Sequence, residues 1–166
     1  SCLVGSEMCI RDRINIALYQ PDIPQNTAAI IRTCACLDLR LEIIKPTGFI
    51  LNERKLERIY LDYLEKCKIK YHNNFEDFLV SKNIKNIILF TTKAKKQYYK
   101  HNFKKEDTLL FGSESKGVHQ KVHDKIIHKL NIPIEVETRS LNLATSVAIG
   151  ASEACLLYTS DAADES

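Results

Sequence analysis

Short apolar runs alternate along this chain with longer segments in which apolar residues return every three or four positions. The runs INIALY (14–19), RLEIIKP (40–46), CKIKYH (67–72), KNIILFTT (85–92), DTLLFGS (107–113) and NIPIEV (131–136) read as strands. Helical spacing marks QNTAAIIRTCACLDL (25–39), where Ile30, Ile31, Cys34 and Leu37 share a face. It also marks ERKLERIYLDYLEK (53–66), NFEDFLVSKN (74–83), GVHQKVHDKIIHKL (117–130) and LNLATSVAIGASEA (141–154). Strands alternating with helices predict an α/β fold with a mostly parallel sheet flanked by helices. Ligands on such sheets bind outside the carboxyl ends of the strands, so the loops after strands carry the functional information.

The two ends change the extent of this domain. SCLVGSEMCIRDR at the start and CLLYTSDAADES at the end resemble translated sequencing-adapter read-through. The expected organisation is therefore an extension over 1–13, one domain over 14–154 and a foreign tail over 155–166 that replaces the end of the last helix. With the ends set aside, 22 basic face 16 acidic side chains, so the net charge rises from +3 to +6. A moderately basic domain suits a polyanionic partner. Of six cysteines, Cys34, Cys36 and Cys67 remain inside the domain. An odd, unpatterned set points away from a disulfide framework and from zinc, and Cys34 and Cys36 are expected to pack in the core. No apolar run approaches the roughly 20 residues of a membrane span, and no signal-peptide pattern opens the chain. A cytoplasmic, soluble domain is the expectation.

Several nucleotide-site patterns are missing. The five glycines form neither GxGxxG nor GxxxxGK[ST], which removes a Rossmann fingerprint and a P-loop. His119 and His123 are spaced for a metal pair on one helix face, but no HExxH accompanies them and lysines flank them. A solvated face is the expected reading, with no metal. Three polar loops then stand out. In QPDIPQNTAAIIR, prolines stiffen the exit from the first strand, Asn26 or Thr27 can cap the helix, and Arg32 follows. Arg32 is either a cation held near the strand ends or a side chain snorkelling to solvent. In LLFGSESKG, Gly112 lets the backbone approach a ligand closely, and Glu114 and Gly117 follow. In EVETRSLN, Ser140 is a good N-cap for the last helix, and Asn142 lies in its first turn. Capping accounts for Ser140 without needing Asn142.

Together these elements resemble the SPOUT, or α/β-knot, class of RNA methyltransferases. Within it, the match is to the small single-domain family that methylates the ribose 2′-oxygen at the wobble position of tRNA. The matching stretches are IALYQPDIPQNTAAIIR, GFILNERKLERIYLDY, the TTK of ILFTTK, LLFGSESKG and IPIEVETRSLNLATSVA, in the family's order across nearly all of 14–154. Departures are Ala28 where the family often has Gly, Ser113 for Pro, Lys116 for Arg, and a last helix that in the family continues past Ala154.

The resemblance implies a C-terminal deep trefoil knot, a homodimer, and S-adenosylmethionine as methyl donor. It implies donor contacts from Phe90, Thr91, Gly112, Gly117, Ile132, Ser140 and Leu141, and a reaction site lined by Arg32, Glu114, Ser140 and Asn142. Asn26, Arg32 and Arg139 are expected to meet RNA. So are Lys95 and Lys96 of KAKKQYYKHNFKK, where Tyr98, Tyr99 and Phe103 lie between cations and are candidates to stack on bases. Two other readings stand beside the wobble enzyme. One is the same chemistry on another tRNA or rRNA nucleotide. The other is a knotted RNA-binding domain with little activity because its C-terminus is lost.

Overall fold

The computed structural model describes residues 13–50, 58 and 62–164. The N-terminal extension and most of the helix expected over 53–66 lie outside the described residues. Six strands form one sheet in the order β3-β2-β1-β5-β4-β6. They are β1 (Asn15–Tyr19), β2 (Arg40–Ile44), β3 (Ile69–His72), β4 (Ile87–Phe90), β5 (Thr108–Phe111) and β6 (His128–Leu130). All five pairings are parallel, as the alternation of strands and helices predicts.

A parallel sheet is covered on both faces, so its strands are apolar throughout. β4 and β5 are buried at every position. Alternate residues serve opposite layers. Ile16 and Leu18 of β1 join Ile30, Ile31 and Cys34 of α1 (Pro24–Leu37), and Val147 and Ala151 of α4 (Leu143–Asp164), in one core. Ala17 and Tyr19 point the other way, toward Phe75 and Phe78 of α2 (Phe75–Val80) and Val122 of α3 (Gln120–Lys125). β2 carries one charge into that second layer. Glu42 is 3% exposed, and its carboxylate meets His72 Nε2 at 2.9 Å and Lys82 Nζ at 2.6 Å. Burying an acid is tolerable there because both partners come with it.

Four expectations need correction. Helix α1 starts at Pro24 with Ile23 at its N-cap and no side-chain cap, so neither Asn26 nor Thr27 caps it. Proline at the first helical position has no N–H to leave unsatisfied, which makes a polar cap less necessary. The stretch 117–130 is not one helix: α3 ends at Lys125, and β6 uses His128–Leu130. The last strand is therefore not NIPIEV, where Pro133 has no N–H to give a ladder and Val136 is 97% exposed. Leu130, 1% exposed, supplies the apolar anchor instead. Cys34 packs in the core, but Cys36 faces solvent.

Helix α4 makes its tightest contact with the strand ends at Gly150. Phe90 and Phe111 stack with centroids 4.8 Å apart, and Gly150 sits on their edges. A Cβ at Gly150 would stand 3.0 Å from Phe90 Cζ and 3.3 Å from Phe111 Cζ. The helix backbone runs on through Cys155 to Asp164, across the segment read as a foreign tail. Gly150→Val should cost about 1–3 kcal/mol by overpacking this contact. Urea unfolding measures it, and a wild-type midpoint would mean that α4 does not close on the rings.

Candidate active site at the carboxyl edge of the sheet

Three loops leave the carboxyl ends of β1, β5 and β6 and meet above the sheet. Asn142 comes from the loop after β6. Its side-chain amide donates to Asn26 Oδ1 at 2.9 Å. The Asn26 amide donates to Glu114 Oε1 at 3.3 Å, and the other Glu114 oxygen accepts from the backbone N–H of Asp22 at 2.8 Å. The Ser115 hydroxyl completes the chain by donating to the Asp22 carboxylate. Asn142 and Asn26, 116 positions apart in sequence, are thereby joined to one network with Glu114, Asp22 and Ser115.

Asn142 also does the work expected of Ser140. Its Oδ1 accepts from the N–H of Thr145 at 3.2 Å, and its backbone carbonyl accepts the first helical bond from Ser146 at 2.9 Å. Asn142 is the cap of α4, one residue outside its first turn. Ser140 stays exposed and faces the cleft, free to bind something else.

The LLFGSESKG loop is a tight hairpin. Ser113 and Gly117 exchange backbone hydrogen bonds of 3.0 and 2.9 Å. Gly117 has φ of +64°, and a Cβ on Gly112 would lie 2.5 Å from the Gly117 carbonyl carbon. A side chain at Gly112 would force the hairpin apart, and one at Gly117 would be strained by its left-handed backbone.

Between this hairpin, the loop after β4 and the segment before α4 lies a cleft of about 600 Å³, the size of a site for a small organic ligand. Leu89, Phe90, Phe111 and Leu143 give it an apolar floor. Phe90, Thr91, Gly112, Gly117, Ile132 and Leu141 all line it, as do Asn26, Glu114, Arg139, Ser140 and Asn142. Lys93 and Lys116 add cations at the rim. His123 contributes an Nε2 that is buried with no hydrogen-bond partner. The spacing of His119 and His123 predicts a solvated face, but His123 lines the cleft, a direction that only the tertiary packing of α3 sets. His119, in contrast, caps α3 by accepting from the N–H of Lys121.

Three expected residues are elsewhere. Arg32 is exposed on α1, with its guanidinium 5.2 Å above the ring of Tyr63, and it does not line this cleft. Lys95 and Lys96 are exposed but also lie off the cleft. Their loop is pinned to β6 by the Asn131 amide on the carbonyl of Ala94 and by paired backbone bonds with Lys96 and Tyr98. Phe103 is 2% exposed and Tyr98 packs against the core, so of the three candidate stacking rings Tyr99 alone, 49% exposed, is open to a base.

The electrostatics of the tie are asymmetric. Burial, then its contact with Asp22, pushes the Glu114 carboxyl up. Hydrogen bonds from Glu114 and Ser115 pull Asp22 down. Of the two carboxyls, Glu114 is therefore the more readily protonated and Asp22 the more readily ionised.

A family model described as the SpoU rRNA methylase family matches residues 13–152, nearly the whole described domain. The chain belongs to the SpoU methylase family. A tRNA (cytidine(34)-2′-O)-methyltransferase of Beijerinckia indica is 38% identical over 84% of this chain and 88% of its own length. Its Escherichia coli namesake is 36% identical over 85% of this chain and 91% of its own. A solved structure described as giving insight into 2-OH methylation of C/U34 on tRNA superposes with a TM-score of 0.83 at 36% identity, covering 90% of this chain and 98% of that one. An AdoMet-bound rRNA methyltransferase of Sinorhizobium meliloti shares the fold, with a TM-score of 0.77 at 22% identity over 86% of this chain and 55% of that one. Among the described residues no helix is long and apolar enough to cross a membrane, and no cluster of three or more His, Cys, Asp or Glu side chains could hold a metal ion.

The raised Glu114 carboxyl has a sign that can be measured. A group whose folded value lies above its ordinary one stabilises the fold at low pH and loses that contribution as pH rises through the folded value. Glu114→Gln removes the titration and keeps an acceptor for the Asp22 N–H. The variant should gain stability relative to the parent as pH rises from the ordinary glutamate value toward neutrality. Unfolding curves across that range test this, and a flat difference would reject the upward shift of Glu114. Asn142→Ala should lower stability by about 1 kcal/mol through loss of the cap. A Tm equal to that of the parent would show that the cap contributes nothing.

Proposed function

We propose that the domain transfers a methyl group from S-adenosylmethionine to the ribose 2′-oxygen of the wobble nucleotide of tRNA, cytidine or uridine. The observation that carries this reading is the Asn142–Asn26–Glu114–Asp22 tie, which gathers the three family loops around one cleft. The relatives named for cytidine(34) and the structure described for C/U34 supply the substrate class.

The cleft suits the donor's chemistry. Phe90 and Phe111 offer an apolar floor for a purine, and Gly112 and Gly117 bring bare backbone close to it. The unpartnered His123 Nε2, Lys93 and Arg139 can meet polar and carboxylate groups. Thr91, Ile132, Ser140 and Leu141 complete the donor wall in this reading. The bound donor supplies a methyl on a positively charged sulfur, already activated, so the reaction calls for no metal. The protein's task is to hold the 2′-oxygen in line with that methyl, which is an orientation effect. Ser140, with its hydroxyl not spent on capping, orients the ribose. Asn142 and Glu114 act by fixing the loops, because the Asn142 amide, its Oδ1 and both Glu114 oxygens are already engaged. Asn26 and Arg139 lie at the entrance for RNA, with Lys95 and Lys96 as outlying phosphate contacts.

Arg32 enters the same scheme through a second subunit. It is exposed and outside its own chain's cleft, so its part in polarising the hydroxyl and holding the neighbouring phosphate is played at the cleft of the partner in a homodimer. The domain proper spans 14–154, with the flanks as extensions, and the match over 13–152 supports those bounds. The trefoil knot is supported by the return of the chain from the edge strand β6, past the loop after β4, to α4. The compartment is the cytoplasm, where tRNA is modified.

Transfer of tritiated methyl to total tRNA, followed by mapping of the labelled nucleotide, tests the reaction. Label in the ribose of nucleotide 34 is expected. Label elsewhere favours another tRNA target, and no transfer favours a binding domain without activity. Arg32→Ala should cut turnover at saturating tRNA by about a hundredfold, with donor affinity held. Near-normal turnover would remove Arg32 from the mechanism.

A further inference from the structure

A second, smaller cleft opens at the same edge of the sheet, on the other side of the LLFGSESKG hairpin. Its volume is about 200 Å³, against about 600 Å³ for the first. That is below the usual range for a cofactor or drug-sized ligand, and it suits a single small group. Tyr19, Phe75 and Val122 form the floor, with Tyr19 and Phe75 in edge contact at 6.1 Å. The Tyr19 hydroxyl is held by the backbone of His119.

The walls are basic. Lys121 and Lys125 stand four residues apart on α3 and so share a face. Lys45 faces them from the end of β2. All three are exposed, and none takes part in an ion pair among the described residues. Glu76 is the one carboxylate in the lining, so cations outnumber it by three to one. Lys45 Nζ also lies 5.6 Å from the ring centre of Tyr71, which is 43% exposed.

The two clefts share a wall. Gly112, Ser113, Glu114, Lys116, Gly117 and Val118 line the first, and His119, Lys121 and Val122, which follow directly, line the second. Lys116 is exposed between them. A strand with a nucleotide at the first cleft and crossing the hairpin therefore meets Lys116 and then the three lysines in turn.

We propose that this second cleft is a phosphodiester subsite for the RNA strand. It takes a backbone phosphate beside the target nucleotide between Lys45, Lys121 and Lys125. The proposal rests on the tRNA reading above and adds where the strand runs.

The test compares two triple variants of the full chain with equal loss of charge. One is Lys45→Gln, Lys121→Gln and Lys125→Gln. The other is Lys66→Gln, Lys68→Gln and Lys85→Gln, whose exposed lysines precede β3 and β4 at the opposite edge. The dissociation constant for purified tRNA is measured by filter binding across a salt series. Each lost phosphate contact should lower the slope of log affinity against log salt by about 0.7. The cleft variant should lose about 0.7 from that slope, the share of one phosphate, and bind about tenfold more weakly at low salt, while the control keeps the parental slope. Equal losses in both variants, or an unchanged slope in the cleft variant, overturn the subsite even if the parent methylates tRNA. A parent that neither binds nor methylates tRNA overturns the functional reading itself, and that result is visible without any variant.

Discussion

The polar tie from Asn142 through Asn26 and Glu114 to Asp22 is the constraint on which the site depends. A parallel sheet offers a ligand only loops at its carboxyl edge, and loops are the least ordered part of a fold. Here the three loops hold one another. Each member of the tie has a second structural job or is flanked by one: Asn142 caps α4, Asn26 sits in the first turn of α1, and Glu114 rides on a hairpin closed by Ser113 and Gly117. The helix entrances and the cleft are thus one object. Loosening any loop would misplace the reacting groups by enough to matter for an in-line transfer.

The tie also explains why the polar residues divide between holding and reacting. Glu114 is half-buried, protonated more readily than a free glutamate, and saturated with partners. Asn142 uses both ends of its amide. Groups so engaged position their surroundings. Ser140 and Arg139, two and three residues before Asn142, are exposed on the cleft and not spent on capping. The stacked Phe90 and Phe111 beneath them serve two layers, as floor of the cleft and as the surface on which Gly150 seats α4. Packing in the core and shape of the site are coupled through two rings.

Charge is distributed along the carboxyl edge. Lys93, Lys116 and Arg139 border the larger cleft, and Lys45, Lys121 and Lys125 the smaller. The conspicuous lysine run at 93–105 is tied to the fold at both ends. Asn131 pins it and Phe103 anchors it, because aromatic residues in a lysine-rich segment gain more from burial than from waiting in solvent for a base.

The sequence by itself determined the layers and the order of elements. Apolar alternation is a local property, and a strand buried on both faces announces itself in four residues, as in IILF and TLLF. It also determined the family, because QPDIPQNT, FGSESKG and EVETRSLN are contiguous motifs. Tertiary structure decided what distance along the chain conceals. The cap of α4 passed from Ser140 to Asn142, because Asn142 found Asn26 across the sheet and its other atom was left to close the helix. The last strand moved to His128–Leu130, because Leu130 had a core to enter and Pro133 had no N–H to offer β4. His123 turned into the cleft, and Arg32 turned out of it toward Tyr63. Local propensity fixes which element a residue joins. Only the packing of remote elements fixes which way its side chain faces, and chemistry depends on that direction.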